Sequence, residues 1–229
     1  MIPLKDLAPR RTVPFVTFLL ILTNVLVFFY QLSLGPRGGQ EFAVIYGEVP
    51  LRTQLALEGQ IPLAAGFVPF FTSMFLHGGW LHIIGNMWFL WIFGDNVEDQ
   101  LGHFSYLIFY LICGLGSGLA QTIFSWGSKI PAIGASGAIS GVLGAYMVFF
   151  PRARVLTLIP IFILFYTVQL PAVVFIGLWF LLQFLSGLGS LQAGSSGGVA
   201  WWAHVGGFVL GIVLVKTVFP PRRTVVYYS

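Results

Sequence analysis

The sequence predicts an all-α polytopic membrane protein, on three observations. Only 8% of the 229 residues are charged, while 57% are hydrophobic and 17% aromatic; a soluble domain runs near 25% charged. The mean hydropathy is +0.90. The charges are also bunched, leaving charge-free windows at 12–36, 59–94, 100–128, 130–151 and 155–215. A spanning helix needs about 20 apolar residues, so such windows read as membrane spans. Together these features exclude a soluble enzyme, a disordered chain and a nucleic-acid binder. The net charge of +4 comes from cations scattered along the chain, not from a basic patch.

The windows place the elements in order. Windows 12–36, 100–128 and 130–151 hold one span each. Window 155–215 is interrupted by Ser186-Gly-Leu-Gly-Ser190 and Gly194-Ser-Ser-Gly-Gly198, clusters that read as a loop, so it holds two. In window 59–94, Pro62, Pro69 and Gly78-Gly79 break the first half. Residues 59–78 therefore read as an irregular interfacial or membrane-immersed segment, with a helix from about Trp80. The expectation is six spans, at about 14–34, 79–98, 104–125, 135–150, 170–188 and 201–219. Val155–Gln169 is apolar but interrupted by Pro160 and followed by Pro171; a seventh span there is the alternative. The implied division is a short N-terminus (1–13), a membrane domain (14–219) and a C-terminal tail (220–229).

With six spans, Lys5, Arg10, Arg11, Arg152, Arg154, Lys216, Arg222 and Arg223 share one side, against Arg37, Arg52 and Lys129 on the other. The positive-inside rule then puts both termini in the cytoplasm. The first apolar run is long and lacks a small-residue cleavage site, so it is expected to stay as an anchor. Cys113 is the single cysteine, which leaves no intramolecular disulfide and no cysteine-based metal site.

Polar residues inside spans are the functional candidates of a membrane protein. His82 and Asn86 lie one helical turn apart on one face; interhelical hydrogen bonding is the bland reading of such a pair. Gly134-Ala-Ser136-Gly137-Ala-Ile-Ser140-Gly141 opens the fourth span, and Gly137-x-x-x-Gly141 allows close helix approach. A small-residue packing face is its bland reading. Ser136 to Phe150 makes about 22 Å of helix in a hydrocarbon core of about 30 Å. Ser136 is therefore expected below the outer boundary. Lys129-Ile-Pro131-Ala-Ile-Gly134 ahead of it cannot be helical throughout, and such backbone survives at membrane depth only in a protein interior or beside a water-filled cavity. The helix N-terminus there favours developing negative charge. Ala203-His204-Val-Gly206-Gly207 opens the sixth span from the same side, with Gly207-x-x-x-Gly211 as a second close-approach face. If these two helices pack through their glycines, Ser136 and His204 meet.

Those parts suit acyl transfer. Ser136 is the candidate nucleophile and His204 the general base, then acid. The Ser136 backbone N–H, His82 and Asn86 are candidate oxyanion donors. No span offers an Asp or Glu near the outer side to orient His204, so the pair is expected to act as a dyad with a neutral imidazole.

The stretches His77-Gly-Gly-Trp-Leu-His82-Ile-Ile-Gly-Asn86, Gly94-x3-Glu98-x3-Gly102, Gly134-Ala-Ser136-Gly137 and Ala203-His204-x-Gly206-Gly207 together resemble the rhomboid family of intramembrane serine proteases, from about Thr72 to Leu214. The resemblance implies a six-helix fold with a membrane-dipping first loop (about 35–78). It also implies a Ser136–His204 dyad, and an oxyanion hole at His82 and Asn86. His77 would support the first loop, and Glu98 and Gly102 would form a structural motif after the second helix. It implies no cofactor, and transmembrane protein segments as substrates, cut at small residues near helix-destabilising ones. Two positions depart from the family pattern. A Trp-Arg pair common in the first loop is replaced by Val68-Pro69, and a tyrosine that stacks on the histidine is replaced by Ser140, so another residue must hold His204.

The expected function is an intramembrane serine endopeptidase in a prokaryotic inner membrane, with the lipid bilayer and transmembrane substrates as partners, no nucleic acid, and no oligomer needed for the site. The alternative is a non-catalytic rhomboid-like protein that binds or escorts membrane clients. A transporter would call for inverted repeats and intramembrane acids, neither of which is found. A zinc protease would call for His-Glu-x-x-His, also missing from the sequence.

Overall fold

The computed structural model describes residues 1–162, 164–193 and 199–222. Among them the helices, in chain order, are α1 (Phe15–Ser33), α2 (Gly35–Tyr46), α3 (Pro50–Leu57), α4 (Leu63–Thr72), α5 (Trp80–Leu101), α6 (His103–Phe124), α7 (Ser136–Phe149), α8 (Ala172–Ala193) and α9 (Trp201–Thr217). Six of them fall on the expected span positions. α1, α6 and α8 are each long and apolar enough to cross a bilayer. α4 and the 3₁₀ turn Ser73–Phe75 run into α5 through a 76° bend, and this pair passes the same test together. α7 and α9, at 14 and 17 residues, are apolar but short. Length and composition alone thus identify three crossing helices, or four with the bent pair. The chain is a helical membrane protein, and the expected count of six spans goes further than these lengths do.

α7 is the hub. Its residues from Gly137 to Tyr146 are all buried, and it packs against α5, α6, α8 and α9. Small residues allow this. A methyl group on Gly207 would overlap the Gly137 carbonyl oxygen, and one on Gly211 the Gly141 carbonyl oxygen. α7 and α9 therefore meet backbone to backbone, as small-residue pairs permit in membranes.

At the opposite end of α7 from Ser136, polar groups tie the helices together. Glu98 is 0% exposed; its carboxylate accepts from the Val16 and Thr17 backbone N–H groups, both at 2.8 Å, and from the Thr17 hydroxyl at 2.7 Å. It thus caps the free N–H groups at the start of α1, where a negative charge is favoured. His103 Nδ1 lies 2.5 Å from the same carboxylate. Gly102 takes φ +77° to turn α5 into α6, a conformation that favours glycine. The Arg222 guanidinium covers it, and the Arg222 N–H donates to the Gln100 carbonyl at 3.1 Å. The rest of the expected tail, 223–229, lies outside the described residues.

Two expectations need correction. The segment 155–169, read as an irregular stretch or a seventh span, is a hairpin of β2 (Arg154–Ile161) and β3 (Leu164–Pro171), and the N-terminal strand β1 (Ile2–Asp6) completes an antiparallel sheet in the order β1-β2-β3. Burial alternates from Ala153 to Thr157 with period two, as a strand with one buried face does. Pro160 lies beyond Leu158, the last partner of β1, so its missing N–H faces an open edge. The Ser186–Ser190 cluster, read as loop, is the last part of α8. Gly187 there seats Trp202, which would stand 3.3 Å from a methyl at that position; packing outweighs the low helix propensity of glycine. The Gly194–Gly198 loop lies outside the described residues.

Candidate active site

Three helix starts converge at one end of the bundle. Ser136 is the first residue of α7, His204 is in the first turn of α9, and His82 and Asn86 lie in the first two turns of α5. Ser136 Oγ stands 2.8 Å from His204 Nε2. The imidazole is 8% exposed and borders a cavity of about 1080 Å³ that is also lined by Ser136, His82, Asn86, Trp179 and Gln183.

The backbone ahead of Ser136 is irregular, as its prolines and glycines require. Ala132 and Glu48 exchange N–H···O bonds of 2.7 and 3.1 Å, and the Gly134 N–H donates to the Ser73 carbonyl at 2.9 Å. Gly134 has φ +125°, and a methyl group there would lie 2.7 Å from His82 Nε2 and 3.6 Å from Asn86 Nδ2. Only glycine fits both the conformation and the space. As the first residue of a helix, Ser136 has a backbone N–H with no intrahelical acceptor.

The donor set follows from hydrogen-bond accounting. His82 Nδ1 accepts the Gly78 N–H at 3.2 Å. A neutral His82 therefore carries its proton on Nε2, the nitrogen beside Gly134. Asn86 is 7% exposed, and its Nδ2 has no partner among the described residues. Buried amide donors are nearly always paired, so an unpaired one beside a cavity marks a place for an acceptor.

His204 is held from its far side. Its Nδ1 lies 2.7 Å from Gln183 Oε1 on α8. The rings of Trp179 and Trp201 flank it at 6.0 and 6.2 Å. Gln121 Oε1 accepts the Ala203 N–H at 3.2 Å and so fixes the start of α9. Ser140, at the position of the missing tyrosine, donates back to the Ser136 carbonyl at 2.6 Å and does not reach His204.

The Rhomboid domain matches residues 64–221. The chain belongs to the rhomboid family. It is 32% identical over 134 residues to Rhomboid protease GluP of Bacillus subtilis, covering 58% of this chain and 24% of that protein. It is 31% identical over 152 residues to Rhomboid protein 1, mitochondrial, of Saccharomyces cerevisiae, covering 62% and 39%, and 33% identical over 139 residues to RHOMBOID-like protein 4 of Arabidopsis thaliana, covering 61% and 31%. The matched region thus spans under half the length of these curated relatives. The rhomboid relatives are bacterial, mitochondrial and chloroplastic, so they do not single out a prokaryotic inner membrane as expected from the sequence.

Within this rhomboid bundle Ser136, His204, His82 and Asn86 share one cavity. His77 is set back from it. Its backbone N–H donates to Gln31 Oε1 at 3.0 Å, and its ring stands edge-on to Phe28 and His82, joining α1 to the bend before α5. Glu98 and Gly102 are at the far end of the bundle, and Gly137, Gly141, Gly207 and Gly211 form the α7–α9 contact. The sequence reading missed Gln183. It is the one amide side chain in the 20-residue apolar stretch Ala172–Leu191, and that was the available signal.

Proposed function

We propose that this rhomboid protein is an intramembrane serine endopeptidase that cleaves transmembrane segments of other proteins through a Ser136–His204 dyad. The observation that carries this reading is the 2.8 Å Oγ–Nε2 contact beside a cavity also lined by Asn86, whose Nδ2 donor has no partner among the described residues. Ser136 Oγ attacks the scissile carbonyl while His204 Nε2 takes its proton. The tetrahedral oxyanion is met by the Ser136 backbone N–H, His82 Nε2–H and Asn86 Nδ2–H. Imidazolium His204 then protonates the leaving amine, and water, deprotonated by His204, releases the acyl group. Because a helix hides its carbonyls, the substrate segment must unwind to enter the site, which favours helix-destabilising residues near the cut.

In this reading six helices cross the membrane within a domain spanning 14–219, and the short α7 works from the middle of the bundle with its N-terminus in a wet cavity. Both termini lie on the cytoplasmic side, because Lys5, Arg10, Arg152, Arg154 and Arg222 gather at the end away from Ser136. The reaction uses no cofactor and no second copy of the chain. The test is cleavage of a transmembrane substrate panel by the protein reconstituted in lipid. Ser136→Ala and His204→Ala should fold and lose cleavage by at least about 10³-fold. Undiminished cleavage by Ser136→Ala would overturn the reading, and a wild type that binds but never cleaves would favour the client-binding alternative.

A further inference from the structure

We propose that Gln183 is the positioning residue of this dyad, fixing the tautomer of His204 from a separate helix; this rests on the Ser136–His204 reading. For Nε2 to accept the serine proton, the ring must be neutral with its hydrogen on Nδ1. Nδ1–H then needs an acceptor. Gln183 Oε1, 2.7 Å away, is that acceptor. The opposite tautomer would set a ring lone pair against the amide oxygen, and would leave Nε2 unable to take the proton.

The charge of the acceptor matters as much as its position. In a serine triad a carboxylate holds the histidine and also stabilises its imidazolium form. A neutral amide does the first and contributes less to the second. Among the described residues the surroundings add no acid. Ser136 faces the ring from α7, Trp179 and Gln183 from α8, and Trp201 from its own helix; the nearby titratable group is His82 of α5.

Gln183 also places this control on α8. α8 is the least buried of the three long apolar helices, with 22% of its apolar window buried against 33% for α1 and α6. Its contacts with α9 include Phe180 stacked on Phe208 at 4.5 Å, Trp179 against His204 and Phe208, Trp202 over Gly187, and the Gln183–His204 hydrogen bond. The catalytic geometry is therefore shared by three helices, and the orientation of the base follows the placement of α8.

The test compares wild type with Gln183→Leu and Gln183→Glu in the full chain, with thermal stability as a folding control. Gln183→Leu, close in size and without an acceptor, should lower kcat by about 10- to 100-fold with KM nearly unchanged. Gln183→Glu should keep most of the activity and move the acid limb of the kcat profile upward by about one pH unit, since a carboxylate stabilises the imidazolium. A wild-type kcat in Gln183→Leu, or an unmoved acid limb in Gln183→Glu, would overturn the proposal. A second readout does not depend on cleavage. In protein labelled with 15N-histidine, neutral His204 should carry its proton on Nδ1, and Gln183→Leu should give a mixture of tautomers. A wild-type ring protonated on Nε2, or the same tautomer in both proteins, contradicts it. Failure of the protease reading would instead show as a correct tautomer in a chain that never cleaves.

Discussion

At the scale of single residues, the site is built from hydrogen-bond capacity left unused. His82 spends Nδ1 on the Gly78 N–H, and Asn86 has an amide donor without a partner among the described residues. Asn86→Ala should lower kcat on the order of 10²-fold, with little change in KM, because the donor acts on charge that develops only in the transition state. Steady-state kinetics on a peptide or transmembrane substrate checks this. A change confined to KM would assign Asn86 to substrate binding instead. The four residues of the proposed chemistry were legible in the sequence because the chain has only four histidines and because His82, Asn86, Ser136 and His204 all fall near helix starts expected on one side. Gln183 offered its amide as a signal, but its partner depends on the rotation and approach of α8, which no local spacing encodes.

At the scale of elements, the α7–α9 contact sets the distance between nucleophile and base. Gly207→Ala should destabilise the protein by about 1–3 kcal/mol, because the added methyl runs into the Gly137 carbonyl oxygen, and it should separate Ser136 from His204 as well. Gly177→Ala in α8, where a methyl group meets nothing within 4 Å, should be neutral or slightly stabilising. Thermal unfolding of both variants in one detergent decides the comparison. Equal effects would mean that close approach is not what the α7–α9 glycines supply. The glycine spacing was visible in the sequence, which offered the pairing of those two helices only as a condition. The sheet was not visible there. β1 and β2 lie about 150 residues apart, and the pattern of β2 reads as irregular until β1 supplies its partner.

At the scale of the whole molecule, the end away from Ser136 is closed by a polar network joining the N-terminus to the bundle. Asp6 accepts from Asn96 Nδ2 and from the Tyr146 hydroxyl, each at 2.8 Å. Burial outweighs these hydrogen bonds and raises its pKa from 3.8 to about 6, with the neighbouring Asp95 adding to the rise. The folded state therefore holds this proton more tightly than the unfolded chain. Between about pH 4 and pH 6 the folded state binds more protons, so the docking of β1 weakens as pH rises through that window and strengthens as it falls. Asp6→Asn should remove this dependence. Hydrogen exchange of the Ile2–Asp6 amides at pH 5 and pH 7.5 measures it; a wild type with the same protection at both values, corrected for intrinsic exchange, would contradict the assignment. The membrane class was legible from where charges are missing. The network itself was not, because charge position along the chain does not say which carboxylates are capped and which are solvated.

The central claim is that Ser136 is a nucleophile activated by His204, and covalent labelling tests it most directly. A fluorophosphonate should modify the full-length protein in lipid once, at Ser136 by peptide mapping. His204→Ala should abolish the labelling, and acidification should suppress it as the imidazole becomes charged. Labelling at another serine, or unchanged labelling of Ser136 in His204→Ala, would contradict the account.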